Sequence, residues 1–249
     1  MTAKKLSKPN LFITFAGVKT SRLKLVVTGV ADAAGLETVV RRGADVVALD
    51  FRPGSDAFVR MVSSHAGTMP DYADQGMVRR ETGDGSGAGE PSFATAGLFA
   101  DDMPQNIVTR VYNYSLDIVA LMGSERPVMM ENLRRTLCPD IRVGVQLVKA
   151  LAIEKASDLS QSEPYLQVAD AFLFRPTDAF RRENGGDWAR LMAAHYAGER
   201  PFLLEINAVD DREWLPLAEH KAFAGIVVDG RGAADGLGAL ARWLHEKFA

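Results

Sequence analysis

A single cysteine, Cys138, stands in the 249 residues, so no internal disulfide framework is possible. It lies in RRTLCPD with no metal-like spacing to any histidine, which leaves it a structural thiol and fits a reducing compartment. Histidine is equally scarce: His65, His195, His220 and His245 lie far apart, and none has ligand spacing to another histidine or to the cysteine. No run of apolar residues approaches the roughly 18 needed for a membrane helix. The N-terminal MTAKKLSKPNLFITFAG carries lysines but too short an apolar stretch for a secretory signal. An excess of one charge is also missing. The formal net charge is -3, and basic residues occur only as scattered pairs such as Arg41-Arg42 and Arg181-Arg182, so nothing supplies the footprint expected of a nucleic-acid binder. These absences describe a cytoplasmic protein with no metal, no cofactor, no nucleic-acid partner and no membrane partner.

What is present is rhythm. Apolar runs alternate with amphipathic stretches. Strands are expected at 23–29, 44–51, 93–99, 117–123, 143–153, 169–174, 200–206 and 223–229. Helices are expected at 32–43 behind an Asp32 cap, at 55–67 behind Ser55, from Met103-Pro104, at 125–137, from Ser157, at 186–198, at 211–221 and at 234–248. Continuous apolar strands separated by helices imply a parallel sheet covered by helices. Eight such units in about 250 residues point to an α/β fold, a closed (β/α)8 TIM barrel forming a single domain over 1–249. An open doubly wound sheet is disfavoured, because VVTGVAD is not the glycine-rich phosphate turn that would follow its first strand. Residues 1–22 read as an N-terminal extension. Residues 68–92, rich in Gly, Asp, Ser and Pro, read as a long flexible loop after the second helix.

Reactive groups in such a barrel sit at the C-terminal ends of the strands. Those ends carry Thr28, Asp50 with Arg52, Asp101 with Asp102, Met122, Lys149, Arg175, Glu205 with Asn207, and Asp229 with Gly230 and Arg231. The set is polar and mixed in sign.

Residues 97–174, with PVMMENLRRTL at 127–137 and PDIRVG before the fifth strand, resemble the phosphoribosylanthranilate isomerase family of tryptophan biosynthesis. Family members rearrange a phosphorylated sugar, and the reaction needs a general acid to open the ring and a general base to take a proton from the neighbouring carbon. The resemblance places the base at the end of strand 1, a cysteine in K-[IV]-C-G. This chain has Val26-Val27-Thr28-Gly29, and a threonine hydroxyl is too weak an acid to serve without an activator. It places the acid at the end of strand 6, an aspartate after an apolar run, where this chain has Phe172-Leu173-Phe174-Arg175. A guanidinium does not give up its proton at physiological pH. Other motifs have changed with them. S-P-R becomes Ser55-Asp56-Ala57, Q-L-H-G becomes Ala120-Leu121-Met122-Gly123, and GG[TS]G before F-D-W survives as Asn184-Gly185-Gly186-Asp187-Trp188.

The resemblance therefore leaves three readings. The first is a catalytically degenerate or repurposed homologue that binds a small molecule, such as a phosphorylated sugar derivative, or other tryptophan-pathway enzymes. Thr28 and Arg175 then mark the replaced proton-transfer positions, and Arg52, Lys149, Glu205, Asn207, Asp229 and Gly230 line the ligand. The second is an active isomerase, an intramolecular oxidoreductase by type, with Asp50 as surrogate carboxylate. The third is a different barrel enzyme using Lys149 as a Schiff-base amine.

Overall fold

The computed structural model describes residues 23–59, 61–64, 67–70, 93–231 and 234–248. The N-terminal extension at 1–22 and most of the expected loop, 71–92, lie outside the described residues.

Strands β1 (Lys24–Val30), β2 (Val46–Asp50), β5 (Ala94–Phe99), β6 (Ile118–Leu121), β7 (Gln146–Ile153), β8 (Ala171–Pro176), β9 (Phe202–Glu205) and β10 (Phe223–Asp229) close into one barrel. Every neighbouring pair is parallel, and the seam is made where β1 pairs with β10, Val27 opposite Val228 and Thr28 opposite Asp229. The expected (β/α)8 architecture is thus the observed one. Helices α1 (Ala33–Arg41), α2 (Pro104–Tyr114), α3 (Pro127–Leu137), α4 (Asp178–Asn184), α5 (Trp188–His195) and α6 (Ala234–Lys247) cover the outside. Alternation along each strand separates two apolar layers. The lumen is filled by small and branched side chains, among them Val26, Ala48, Ala96, Leu98, Ala120, Ala150, Ala171, Leu173 and Val227. The layer between strands and helices takes the larger ones, including Phe99, Phe172, Phe174, Trp188, Phe202 and Trp214.

One expected helix is replaced, and two take the 3-10 form. The segment 55–67 does not form one. Instead β3 (Met61–Ser64) pairs antiparallel with β4 (Gly67–Pro70), so the expected loop begins in a strand and follows a hairpin, not a second helix. The cause is visible just upstream. Val59 donates its amide to the Asp50 carbonyl at 2.8 Å, drawing the chain alongside β2. The Ser55 hydroxyl, expected to cap a helix, donates to the Asp50 carboxylate at 2.7 Å. After β7 the chain forms a 3-10 helix over Ala156–Tyr165, and after β9 a single 3-10 turn over Leu215–Glu219. Pro164 and Pro216 lack the amide that an α-helix interior requires.

The bottom of the barrel is tied by a repeated device. Asp45 accepts the Leu25 amide at 2.9 Å, Asp117 that of Thr95 at 2.9 Å, and Asp170 that of Leu147 at 2.7 Å. In each case the residue just before one strand caps the start of the preceding strand. Each carboxylate also faces a basic partner: His245 at 3.0 Å, Arg142 at 2.5 Å and Arg134 at 2.7 Å respectively.

Candidate functional site

The C-terminal ends of the barrel strands bring Thr28, Asp50, Arg175, Glu205 and Asp229 to one mouth. Strand parity explains why. Val26, Ala48, Leu173, Leu203 and Val227 face the lumen, so the residue two positions further along each strand faces the same way and stands at the rim.

Three arginine–carboxylate pairs occupy that rim. Arg52 grips Asp50 through Nε at 2.9 Å and Nη2 at 2.6 Å, and its backbone amide adds a third bond at 2.9 Å. Burial pushes the Asp50 carboxyl up, but the hydrogen bonds from Arg52 and Ser55 outweigh it and hold the group below the usual carboxylate range. The Asp50 hydrogen bond raises Arg52 in turn, and Arg52 also feels Glu205 and Arg231 across the opening. Arg231 forks Asp229 through Nε at 2.9 Å and Nη2 at 2.6 Å, and its Nη1 reaches Asp56 at 3.4 Å. Asp229 is likewise raised by burial and more strongly lowered by Arg231. Arg175 pairs with Glu205 through Nε alone. Behind that pair, Arg181 donates to the Glu205 carbonyl at 2.6 Å and to Asp211 at 3.1 Å. Its guanidinium lies 4.5 Å from the Trp188 ring centre.

The Thr28 hydroxyl makes only a long bond, 3.4 Å, to the Val228 carbonyl. Among the described residues, no carboxylate or imidazole is bonded to it. Two glycines shape the seam around it. Gly29 has φ +78°, and a Cβ there would lie 2.2 Å from an Asp229 oxygen, so only glycine admits that carboxylate. Gly230 packs against Val27, where a Cβ would approach to 2.8 Å, and its amide donates to the Thr28 carbonyl at 2.9 Å. That amide is spent on the seam and is not offered to a ligand.

Lys149 does not join the mouth. It shares its strand face with Leu147, Leu151 and Ile153, which pack toward the helices. Its side chain is 2% exposed, and its amine donates to Glu125 at 2.9 Å and to the carbonyls of Leu121 and Gly123. All three ammonium protons are engaged, which leaves none for an anion. The second carboxylate oxygen of Glu125 accepts the Asp101 amide at 2.8 Å, and Tyr165 donates to the Glu125 carbonyl at 2.9 Å. Sequence reasoning missed Glu125; it is the residue that turns Lys149 from a candidate reactive amine into a brace joining the loops after β5, β6 and β7. Asp101 accepts from the Ser124 amide and hydroxyl at 2.8 and 2.7 Å, while Asp102 accepts from the Met103 amide and from Asn106. Asp101 thus ties its loop to the one after β6, and Asp102 serves its own loop.

Beside the mouth, between the loops after β8 and β9, a cleft of about 680 Å³ is lined by residues including Asp178, Arg182, Gly185, Gly186, Asn207 and Asp211. Asn207 points there and donates to Asp178 at 3.0 Å. The expected set thus divides. Arg52, Glu205 and Asp229 gather with Thr28, Asp50 and Arg175; Asn207 stands in the side cleft; Lys149 and Gly230 are held inside the scaffold. Among the described residues, no group of three or more His, Cys, Asp or Glu is arranged to hold a metal ion, and no helix is long and apolar enough to cross a membrane.

No family model matches the chain. Among curated proteins, the N-(5'-phosphoribosyl)anthranilate isomerase of Paramagnetospirillum magneticum is 30% identical over 152 residues, a match covering 61% of this chain and 60% of that protein. The chain therefore spans less than two thirds of that relative's length. The proteins of the same name from Phocaeicola vulgatus and Rhodospirillum rubrum are each 26% identical, over 180 and 192 residues, covering 72% and 77% of their lengths and 72% and 74% of this chain. Among solved structures, the phosphoribosylanthranilate isomerase from Thermus thermophilus matches with a TM-score of 0.62 at 16% identity, over 89% of this chain and 100% of that one. The Thermotoga maritima enzyme gives 0.61 at 15%, over 89% and 99%. Another structure of the enzyme, in complex with reduced 1-(o-carboxyphenylamino)-1-deoxyribulose 5-phosphate, gives 0.62 at 14%, over 89% and 99%. At these identities the structures speak for the fold. By sequence similarity to the curated relatives, carried on the same closed barrel, the chain is a divergent relative of the phosphoribosylanthranilate isomerases.

Proposed function

We propose that this chain is an isomerase-type barrel that no longer carries out the sugar rearrangement and instead binds a small molecule at its mouth. The observation that carries the reading is the state of the two proton-transfer positions. The base position holds Thr28, whose hydroxyl meets only a backbone carbonyl. The acid position holds Arg175, a permanent cation paired with Glu205. Acid–base catalysis needs a group that exchanges its proton near the working pH, and neither side chain does. The surrogate carboxylate, Asp50, is hydrogen-bonded by Arg52 and Ser55 and held in its ionised form, so it has no proton to give at neutral pH and is a poor acceptor.

The active-isomerase reading is favoured by a different observation, the name shared by the curated relatives. Addition of freshly generated phosphoribosylanthranilate to the purified chain separates the two. We expect the loss of its fluorescence to run at the enzyme-free rate. Turnover well above that rate, abolished by Asp50→Asn, establishes the active reading instead.

A further inference from the structure

Among the described residues, the three mouth arginines differ in what they leave unused. Arg52 and Arg231 each close Nε and Nη2 on a carboxylate of their own strand end. Arg175 gives only Nε to Glu205, and neither terminal nitrogen has an acceptor among the described residues. Its side chain is 35% exposed. The result is an unoccupied pair of N–H donors at a lumen-facing position, in the planar spacing that matches two oxygens of one oxyanion.

Charge decides which oxyanion. Asp50, Asp56, Glu205 and Asp229 stand around Arg52, Arg175 and Arg231, so among the described residues the rim carries one more negative charge than positive. A phosphate dianion is repelled by that surplus more than a singly charged carboxylate is. Beneath Arg175 the lumen is apolar, with Leu173 on the same strand face, Leu98 and Ala150 in the same cluster, and Met122 packed against it. Glu205 is held by Arg181 through its own carbonyl, so it stays beside Arg175 as a fixed competitor for the guanidinium.

Resting on the reading of the mouth as a ligand site, we infer that its ligand is a small organic monocarboxylate with an apolar body. The carboxylate sits on the two terminal nitrogens of Arg175, and the body packs over Leu173 and Met122. The position that the family resemblance assigns to a proton donor becomes an anion anchor.

The test is a calorimetric titration of the full chain with benzoate and, separately, with inorganic phosphate. Benzoate is expected to bind and phosphate to bind more weakly. Arg175→Gln should weaken benzoate by roughly tenfold or more, the scale of a lost charge-assisted fork. Glu205→Gln should tighten it. Arg175→Lys, which keeps the charge without the fork, should fall between wild type and Arg175→Gln and serves if the glutamine variant fails to fold. No binding of benzoate to the wild-type chain, tighter binding of phosphate, or benzoate affinity indifferent to Arg175→Gln and Arg175→Lys overturns the inference. These outcomes are separable from the isomerase assay: turnover there overturns the loss of catalysis, whereas Arg175-independent binding overturns only the anchor.

Discussion

At the residue scale, a rim side chain is defined less by its type than by who shares its hydrogen bonds. Asp50 and Asp229 are both strand-end aspartates, and each is neutralised by an arginine two positions on. Both folded-state carboxyls lie below their usual range. A depressed folded pKa contributes stability that is fully present above the unfolded value, about 4, and is lost as pH falls through the folded value. Asp50→Asn should therefore cost on the order of 1–2 kcal/mol near pH 7, from the lost charge-assisted bonds. The gap to wild type should close progressively in urea unfolding curves recorded from pH 5 down to pH 3. A gap that stays constant with pH would mean that the Asp50 charge contributes nothing. Only part of this pairing was legible in the string. Asp-x-Arg is visible at 50–52 and at 229–231, but Arg175 and Glu205 are thirty positions apart and meet only because β8 and β9 are neighbours.

Strand and helix expectations succeeded where local pattern and tertiary demand agreed. β1, β7 and β10 are apolar runs rich in branched residues and lie close to their expected limits. Helix α3 opens at Pro127 and closes before Cys138, as its proline and amphipathic spacing require. The 55–67 segment failed because its apolar spacing suits an extended chain as well as a helix, and the Asp50 carbonyl and carboxylate claimed Val59 and Ser55 for the extended path. The caps on the strand starts also escaped notice. Ala44-Asp45, Leu116-Asp117 and Ala169-Asp170 recur before β2, β6 and β8, a pattern visible in the sequence once its purpose is known. Each aspartate satisfies an amide that the barrel's own hydrogen bonding leaves at a strand start. Asp170→Ala removes the acceptor of the Leu147 amide and one partner of Arg134. Chemical denaturation should show a loss of about 2–3 kcal/mol, whereas Asp187→Ala, at an exposed ion pair with Arg190, should change stability by less than about 0.5 kcal/mol.

For the whole molecule, closure is the governing fact. The first and last barrel strands are partners, and β1 also pairs with β2, so neither half of the barrel has a complete sheet without the other. The three tryptophans, Trp188, Trp214 and Trp243, all belong to the second half, and the first two are fully buried. If the barrel unfolds as one unit, tryptophan fluorescence and far-ultraviolet circular dichroism should trace superimposable urea transitions. Separated midpoints would show that the β1–β10 seam opens before the second half melts. The sequence alone determined the eight barrel strands, their parallel arrangement, the closure and the kinship with the isomerases, because these rest on periodicity and on residue identity at fixed spacing. It also put Thr28 and Arg175 at the two places where the resemblance leads one to expect proton carriers. Only the tertiary structure decided which polar strand ends are available to a ligand. It buried Lys149 against Glu125, spent the Gly230 amide on the seam, saturated Asp50 with Arg52, and left the terminal nitrogens of Arg175 without an acceptor among the described residues. Hydrogen-bond partnership depends on distances between residues far apart in the chain, and those distances exist only once the barrel has closed.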